Sequence, residues 1–145
     1  MGEIRIAIAG VGNCASSLVQ GIGYYAEMMR PGRGENADGV VGLAHPRLGG
    51  YEPGDTRVVA AIDIDARKVG RSLNDALMAP PNNTKVFHAL PPGGGPKVAM
   101  GNVLDGVADH MAAYPEHRRF VVAGRPCASA AQIEKLLAES GAEIL

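Results

Sequence analysis

The sequence predicts an α/β fold, a parallel sheet with helices on both faces. Three observations carry that expectation. Two short, β-branched, mostly apolar runs, Ile4-Arg5-Ile6-Ala7-Ile8-Ala9 and Arg57-Val58-Val59-Ala60-Ala61-Ile62-Asp63, read as strands covered on both sides. Each is followed by residues that are apolar at helical spacing, so strand and helix alternate. The first strand also meets its helix through Gly10-Val11-Gly12, a joint suited to a sharp strand-to-helix turn.

The 145 residues make one domain's worth of chain, and 46 % of them are hydrophobic, enough for a packed core. We therefore expect one domain over 1–145, with a surface insertion around 31–56. The 14 basic and 15 acidic residues leave a net charge of −1, so no cationic excess favours nucleic acid. No apolar run approaches the roughly 20 residues of a membrane span. Ile4–Ala9 is too short for a signal peptide. With only Cys14 and Cys127, the expected setting is the cytoplasm, with reduced thiols and no membrane.

Taken in order, the strand at Ile4–Ala9 leads into a helix whose apolar face is Leu18, Ile22, Tyr25 and Met29, ended by Pro31-Gly32. The glycine- and proline-rich insertion at 31–56 holds a short strand at Val40-Val41. After the second strand, Asp65 caps a helix that buries Val69, Leu73, Ala76 and Leu77 and stops at Pro80-Pro81. A third strand is expected at 85–89, a flexible loop at 91–96, a helix at 105–113 and a further strand at 119–123. Ser129 and Gln132 fit a capping box. The helix behind it carries Ile133, Leu136 and Leu137 and stops at Gly141. Glu143-Ile144-Leu145 reads as the opening of one more strand, which makes the sheet look truncated at its C-terminal end.

The chemistry lies in Gly10-Val11-Gly12-Asn13-Cys14-Ala15, the G-x-G-x-x-A form of the dinucleotide fingerprint, placed between a strand and a helix as its mechanism requires. Gly10 permits the turn, Gly12 lets a pyrophosphate approach the backbone, and Ala15 allows close packing. The helix start offers amides and partial positive charge. Ser16 and Ser17 add hydroxyls at the same end. The fold class thus sharpens to a Rossmann-type sheet. Asp63, at the end of the second strand, reads in two ways. It can accept the adenosine-ribose hydroxyls and repel a 2′-phosphate, favouring NAD over NADP, or it can be a strand-end carboxylate or cap. Arg67 and Lys68, just beyond, leave room for a 2′-phosphate.

Other reactive types carry less. Cys14 at a helix start could be an activated thiol, but it reads first as a small residue packed beside the turn, as Cys127 does. His45, His88, His110 and His117 lack metal-ligand spacing, so no metal site is expected. Gly93-Gly94-Gly95 lacks a phosphate-loop context. Lys85 and Lys97 read as solvated. No catalytic nucleophile-base-acid set can be placed.

The run from Ile6 through Gly10-Val11-Gly12-Asn13-Cys14-Ala15-Ser16-Ser17 to Gly21, with Tyr24-Tyr25, closely resembles the N-terminal part of actinobacterial-type myo-inositol-1-phosphate (inositol-3-phosphate) synthases. The likeness continues through Val59-Ala60-Ala61-Ile62-Asp63-Ile64-Asp65-Ala66-Arg67-Lys68-Val69-Gly70, and returns at Asn82-Asn83-Thr84 and Leu104-Asp105-Gly106. It is thin over 85–100 and 110–125. The resemblance implies an isomerase of inositol and phospholipid biosynthesis. Such an enzyme uses NAD to oxidise glucose 6-phosphate, closes the ring by an aldol-type step, and returns the hydride to give 1D-myo-inositol 3-phosphate. It further implies that Gly10, Val11, Gly12, Asn13, Cys14 and Ala15 line the pyrophosphate and that Asp63 meets the ribose. Ser72 is a cofactor-side position where relatives carry an acid. The family's catalytic lysines, substrate-phosphate site and tetramer-forming sheet have no counterpart in this chain, so the chain alone is expected to be inactive. Two other readings stay open: the Rossmann domain of a different NAD(P)-dependent dehydrogenase, and a non-catalytic NAD-binding or remnant module.

Overall fold

A computed structural model describes residues 2–30 and 40–145. The three-stranded parallel sheet has the order β1 (Ile4–Ala9), β2 (Thr56–Asp63), β3 (Val98–Met100). Ile8 faces Ala61, and Ala61 faces Val98, so one row of apolar side chains crosses the sheet. Against that row pack Val11 and Ala15 from the start of α1 (Asn13–Met28), and Leu73, Ala76 and Leu77 of α2 (Leu73–Leu77). Alternate residues point to the other face, where Ala7, Ala60 and Ile62 are also buried. There α3 (Ala130–Ser140) sets Ile133 and Leu136 beside Ala99 and Met100. The fold is therefore the expected α/β sandwich, with helices on both faces.

Beyond β1, Ala7 N donates to Ile144 O at 2.7 Å and Glu143 N donates to Arg5 O at 2.8 Å, a parallel bridge on the edge away from β2. The spatial order is thus β3, β2, β1, then Ile144. The direction of progression reverses at β1, the switch point at which doubly wound sheets open a crevice.

Several expectations are corrected. The helix expected after Asp65 is only a turn over 66–70, because Gly70 takes φ +87 and breaks it. The chain next runs extended, with Gly70 N donating to Val98 O and Val98 N to Arg71 O. Only then does α2 start, capped by Ser72 rather than Asp65. Val69, Leu73, Ala76 and Leu77 are nevertheless all buried, so the apolar pattern marks the core although no single helix carries it.

No strand forms at 85–89. The buried Gln20 side chain accepts from Phe87 N and His88 N and ties this segment to α1 instead. The third strand lies later, at Val98–Met100. The 91–96 loop is pinned, since Gly93 N donates to Asp75 and Asn74 Nδ2 donates to Pro91 O. Residues 105–108 are irregular, and the following turn, Asp109–Ala113, is 3₁₀. The strand expected at 119–123 reduces to one antiparallel bridge between Asp65 and Val122. Within the insertion, Val41 stands exposed in a turn closed by Leu43 N on Val40 O, so Val40-Val41 is not a strand. Residues 31–39, including Pro31-Gly32, lie outside the described residues.

The Ser129/Gln132 capping box forms, and Gly141 closes α3 with its N–H on Ala138 O. Ser129→Ala is expected to cost about 1 kcal/mol. Because no residue of α3 is buried, that loss should be read as faster amide exchange in the helix's first turn. Unchanged exchange would show that the box contributes nothing.

Candidate functional site

Gly10 stands at φ +90, a conformation L side chains avoid, and its N–H donates to Ile62 O at 2.8 Å. The chain can thus turn out of β1 directly beside the end of β2. Gly12 caps α1 with extended backbone, and an added Cβ there would meet nothing within 4 Å. No side chain caps this helix start and no acidic residue lies in its first turn. Among the described residues, the amides of Gly12, Asn13, Cys14 and Ala15 have no acceptor within the chain. The result is a row of free donors at the positive end of a sixteen-residue helix, open to an anion.

Val11 sits at the centre of the turn, fully buried. Its N–H donates to Asp63 Oδ2 at 2.7 Å. Its carbonyl accepts from Lys68 Nζ at 2.6 Å and from Asn82 Nδ2 at 3.1 Å. Lys68 also donates to Asn82 Oδ1 at 2.8 Å. Asn82 reaches Leu77 O as well. On the next residue, the Asn13 side chain accepts from Asn83 N at 2.8 Å and from the Thr84 hydroxyl. The Asn82-Asn83-Thr84 run therefore holds the turn from its flank.

Asp63 is buried, and its Oδ1 accepts from Ile64 N and Asp65 N at 2.7 and 2.8 Å. With Val11 N on Oδ2, the carboxylate latches β2 to the turn, and one lone pair of Oδ2 remains. Asp63 also lines a crevice of about 420 Å³ at the C-terminal ends of the strands, with Gly10, Ile62 and Ile64 beside it and Gly101 and Asn102 opposite. A second cavity of about 750 Å³ is lined by Asn13, Asn83, Tyr114, His117 and Arg118, and Phe120 borders both.

Arg67 and Lys68 are not available to a ligand. The Arg67 guanidinium grips Asp65 and donates to the carbonyls of Glu116 and Arg119. Lys68 is fully buried. Burial pushes its ammonium below the ordinary lysine value, while the Asp63 and Asp65 carboxylates pull the other way. Of the two hydroxyls noted in the sequence, Ser17 is exposed, whereas Ser16 is buried and accepts from Gln20 Nε2. Ser72 stands at the α2 cap, donating to Asp75 Oδ2 at 2.6 Å, away from the residues that shape the glycine turn. Cys14 and Cys127 are free and exposed.

The sequence marks Lys68 only as leaving room for a 2′-phosphate and Asn82 only through family likeness, and neither signal points to a support beneath the turn. Among the described residues no group of three His, Cys, Asp or Glu side chains could hold a metal, and no helix is long and apolar enough to cross a membrane.

No family model matches the chain. It is 46 % identical over 114 residues to the inositol-3-phosphate synthase of Mycolicibacterium smegmatis, covering 77 % of this chain and 29 % of that one. The inositol-3-phosphate synthase of Corynebacterium glutamicum is also 46 % identical, over 76 % of this chain and 28 % of its own. An uncharacterised protein of Mycobacterium leprae is 47 % identical over 74 % of this chain and 27 % of its own. The chain thus spans just over a quarter of the length of the curated relatives it matches. Among solved structures, the crystal structure of Ari2 superposes on 98 % of this chain and 38 % of its own, with a TM-score of 0.69 and 33 % identity.

Proposed function

We propose that this chain, a relative of the inositol-3-phosphate synthases over three-quarters of its length, is the NAD-binding Rossmann-type part of such an enzyme. One observation carries the reading. The uncapped amides at the start of α1 follow two residues after Gly10, which lines the crevice at the C-terminal ends of the strands. The residues fit a dinucleotide: an open space before Gly12 for the pyrophosphate, and a mainly apolar crevice beside Asp63 for the adenosine half. Gly10, Val11, Gly12, Asn13, Cys14 and Ala15 would form the pyrophosphate cradle, and the remaining lone pair of Asp63 would accept from the ribose. Ser72, engaged with Asp75, would act only through α2.

Bound NAD would supply a reversible hydride acceptor. In the whole enzyme the proposed reaction converts glucose 6-phosphate to 1D-myo-inositol 3-phosphate by oxidation, aldol-type closure and reduction, in a homotetramer serving inositol and phospholipid synthesis in the cytoplasm. This chain's share is to hold and orient the cofactor.

Calorimetric titration of the purified chain with NAD and NADP tests this. NAD is expected to bind saturably and NADP more weakly, because Asp63 is anionic and both neighbouring cations are already committed. No binding to a folded chain would overturn the cofactor assignment. The chain alone should form no inositol phosphate from glucose 6-phosphate, and robust formation would overturn its assignment as the cofactor part only.

A further inference from the structure

We propose that Lys68 is a positioning residue for the cofactor diphosphate: from beneath the glycine turn it clamps the Val11 carbonyl and thereby aims the Gly12 amide at the phosphates. The inference rests on the NAD reading above and deepens it.

The argument starts from the peptide plane. The Val11 carbonyl and the Gly12 N–H belong to one trans peptide and point in opposite directions. Lys68 Nζ and Asn82 Nδ2 draw that carbonyl inward, at 2.6 and 3.1 Å. The Gly12 N–H is thereby turned away from that carbonyl, with no acceptor among the described residues, and an added Cβ on Gly12 would meet nothing within 4 Å. The preceding peptide is fixed as well, because Val11 N is held by Asp63. Two successive planes are locked, one by a carboxylate and one by an ammonium.

Lys68 contributes more than geometry. A cation on the carbonyl polarises the whole amide and strengthens its N–H as a donor. A fully buried ammonium also stands close behind the site of two negative charges, where solvent screens it little. A lysine that only balanced the Asp63 and Asp65 carboxylates would not need to bond to the turn. This one spends one of its two hydrogen bonds on Val11 and the other on Asn82, which itself bonds to Val11.

The test compares ADP with adenosine, which share the base and sugar but differ in the diphosphate. In wild type and in Lys68→Met, which keeps most of the side-chain volume, both ligands are titrated by NMR. Lys68→Met is expected to weaken ADP about tenfold and leave adenosine unchanged, a loss the size of one charge-assisted hydrogen bond. Leu136→Ala, a truncation in α3 beside Ala99 and Met100 on the opposite face of the sheet, should lower stability without changing the ratio of ADP to adenosine affinity. Equal loss of both ligands in Lys68→Met, or no loss of ADP, overturns the proposal. If Lys68→Met does not fold, Asn82→Ala carries the same comparison, with an expected ADP-specific loss of about threefold. Wild type that binds neither ligand would overturn the NAD reading itself and this inference with it, a result visible before any variant is made.

Discussion

Gly12→Val is expected to weaken NAD binding on the order of a hundredfold or more, as the loss of two charge-assisted hydrogen bonds would, and to leave the fold in place. The structure separates the two glycines of the turn. Gly12 has φ −96 and ψ −161, an extended conformation any residue adopts, and a Cβ there finds open space. Valine therefore costs the apo fold only a poorer helix cap, about 1 kcal/mol. Its methyls would fill the volume a pyrophosphate must enter. Gly10 is the opposite case. A Cβ there also meets nothing, but φ is +90, so Gly10→Ala strains the backbone by about 1–2 kcal/mol whatever is bound. Calorimetry for NAD and urea midpoints for stability should split the pair: Gly12→Val loses binding with a small midpoint change, and Gly10→Ala loses midpoint first. NAD affinity unchanged in Gly12→Val would mean that no pyrophosphate lies over this turn.

That division was half legible in the sequence. The fingerprint between a strand and a helix gave the turn, and β1, β2, α1 and α3 followed from apolar period and one capping box. β3 escaped because it is three residues long and is defined by pairing with β2 rather than by its own pattern. The 85–89 run has a strand's composition, yet Gln20, more than sixty residues earlier, takes its amides. α2 was misplaced because the four apolar residues that it and its preceding turn bury satisfy a helical period across a glycine break. The same long-range logic hid the supports of the site. Nothing in the local pattern turns Lys68 or Asn82 inward, since lysine and asparagine usually lie at the surface. Only the fold brings them from 57 and 71 positions away onto one carbonyl. Arg67 and Lys68 seemed open to a 2′-phosphate for the same reason, and tertiary contacts removed both.

Asp65→Ala is expected to cost the most stability of any single change here, about 3–5 kcal/mol, the usual consequence of breaking a buried ion pair from one side. Asp65 is fully buried. Its Oδ1 accepts from Arg67 N and Nε, both at 2.8 Å, and its Oδ2 accepts from Arg67 Nη2 at 2.6 Å and Val121 N at 2.9 Å. Arg67 in turn donates to the carbonyls of Glu116 and Arg119. This one carboxylate therefore joins the end of β2 to the 116–123 segment, which starts as a 3₁₀ turn and is otherwise tied there by a single antiparallel bridge at Val122. Alanine would strand a guanidinium that is only 20 % exposed and leave the Val121 amide unpaired. The pH dependence has a definite sign. Burial pushes the Asp65 carboxyl upward, but the Arg67 side chain and the Val121 and Arg67 amides outweigh it and hold it below the ordinary 3.8. A depressed carboxylate contributes fully above its unfolded value and loses that contribution as pH falls through its folded one. The gap in urea midpoint between wild type and Asp65→Ala should thus stay constant from neutral pH to about pH 5, and narrow only below 3.8. A gap that closes near neutral pH, or a variant as stable as wild type, would show that the 116–123 segment is held by its backbone contacts and not by this pair.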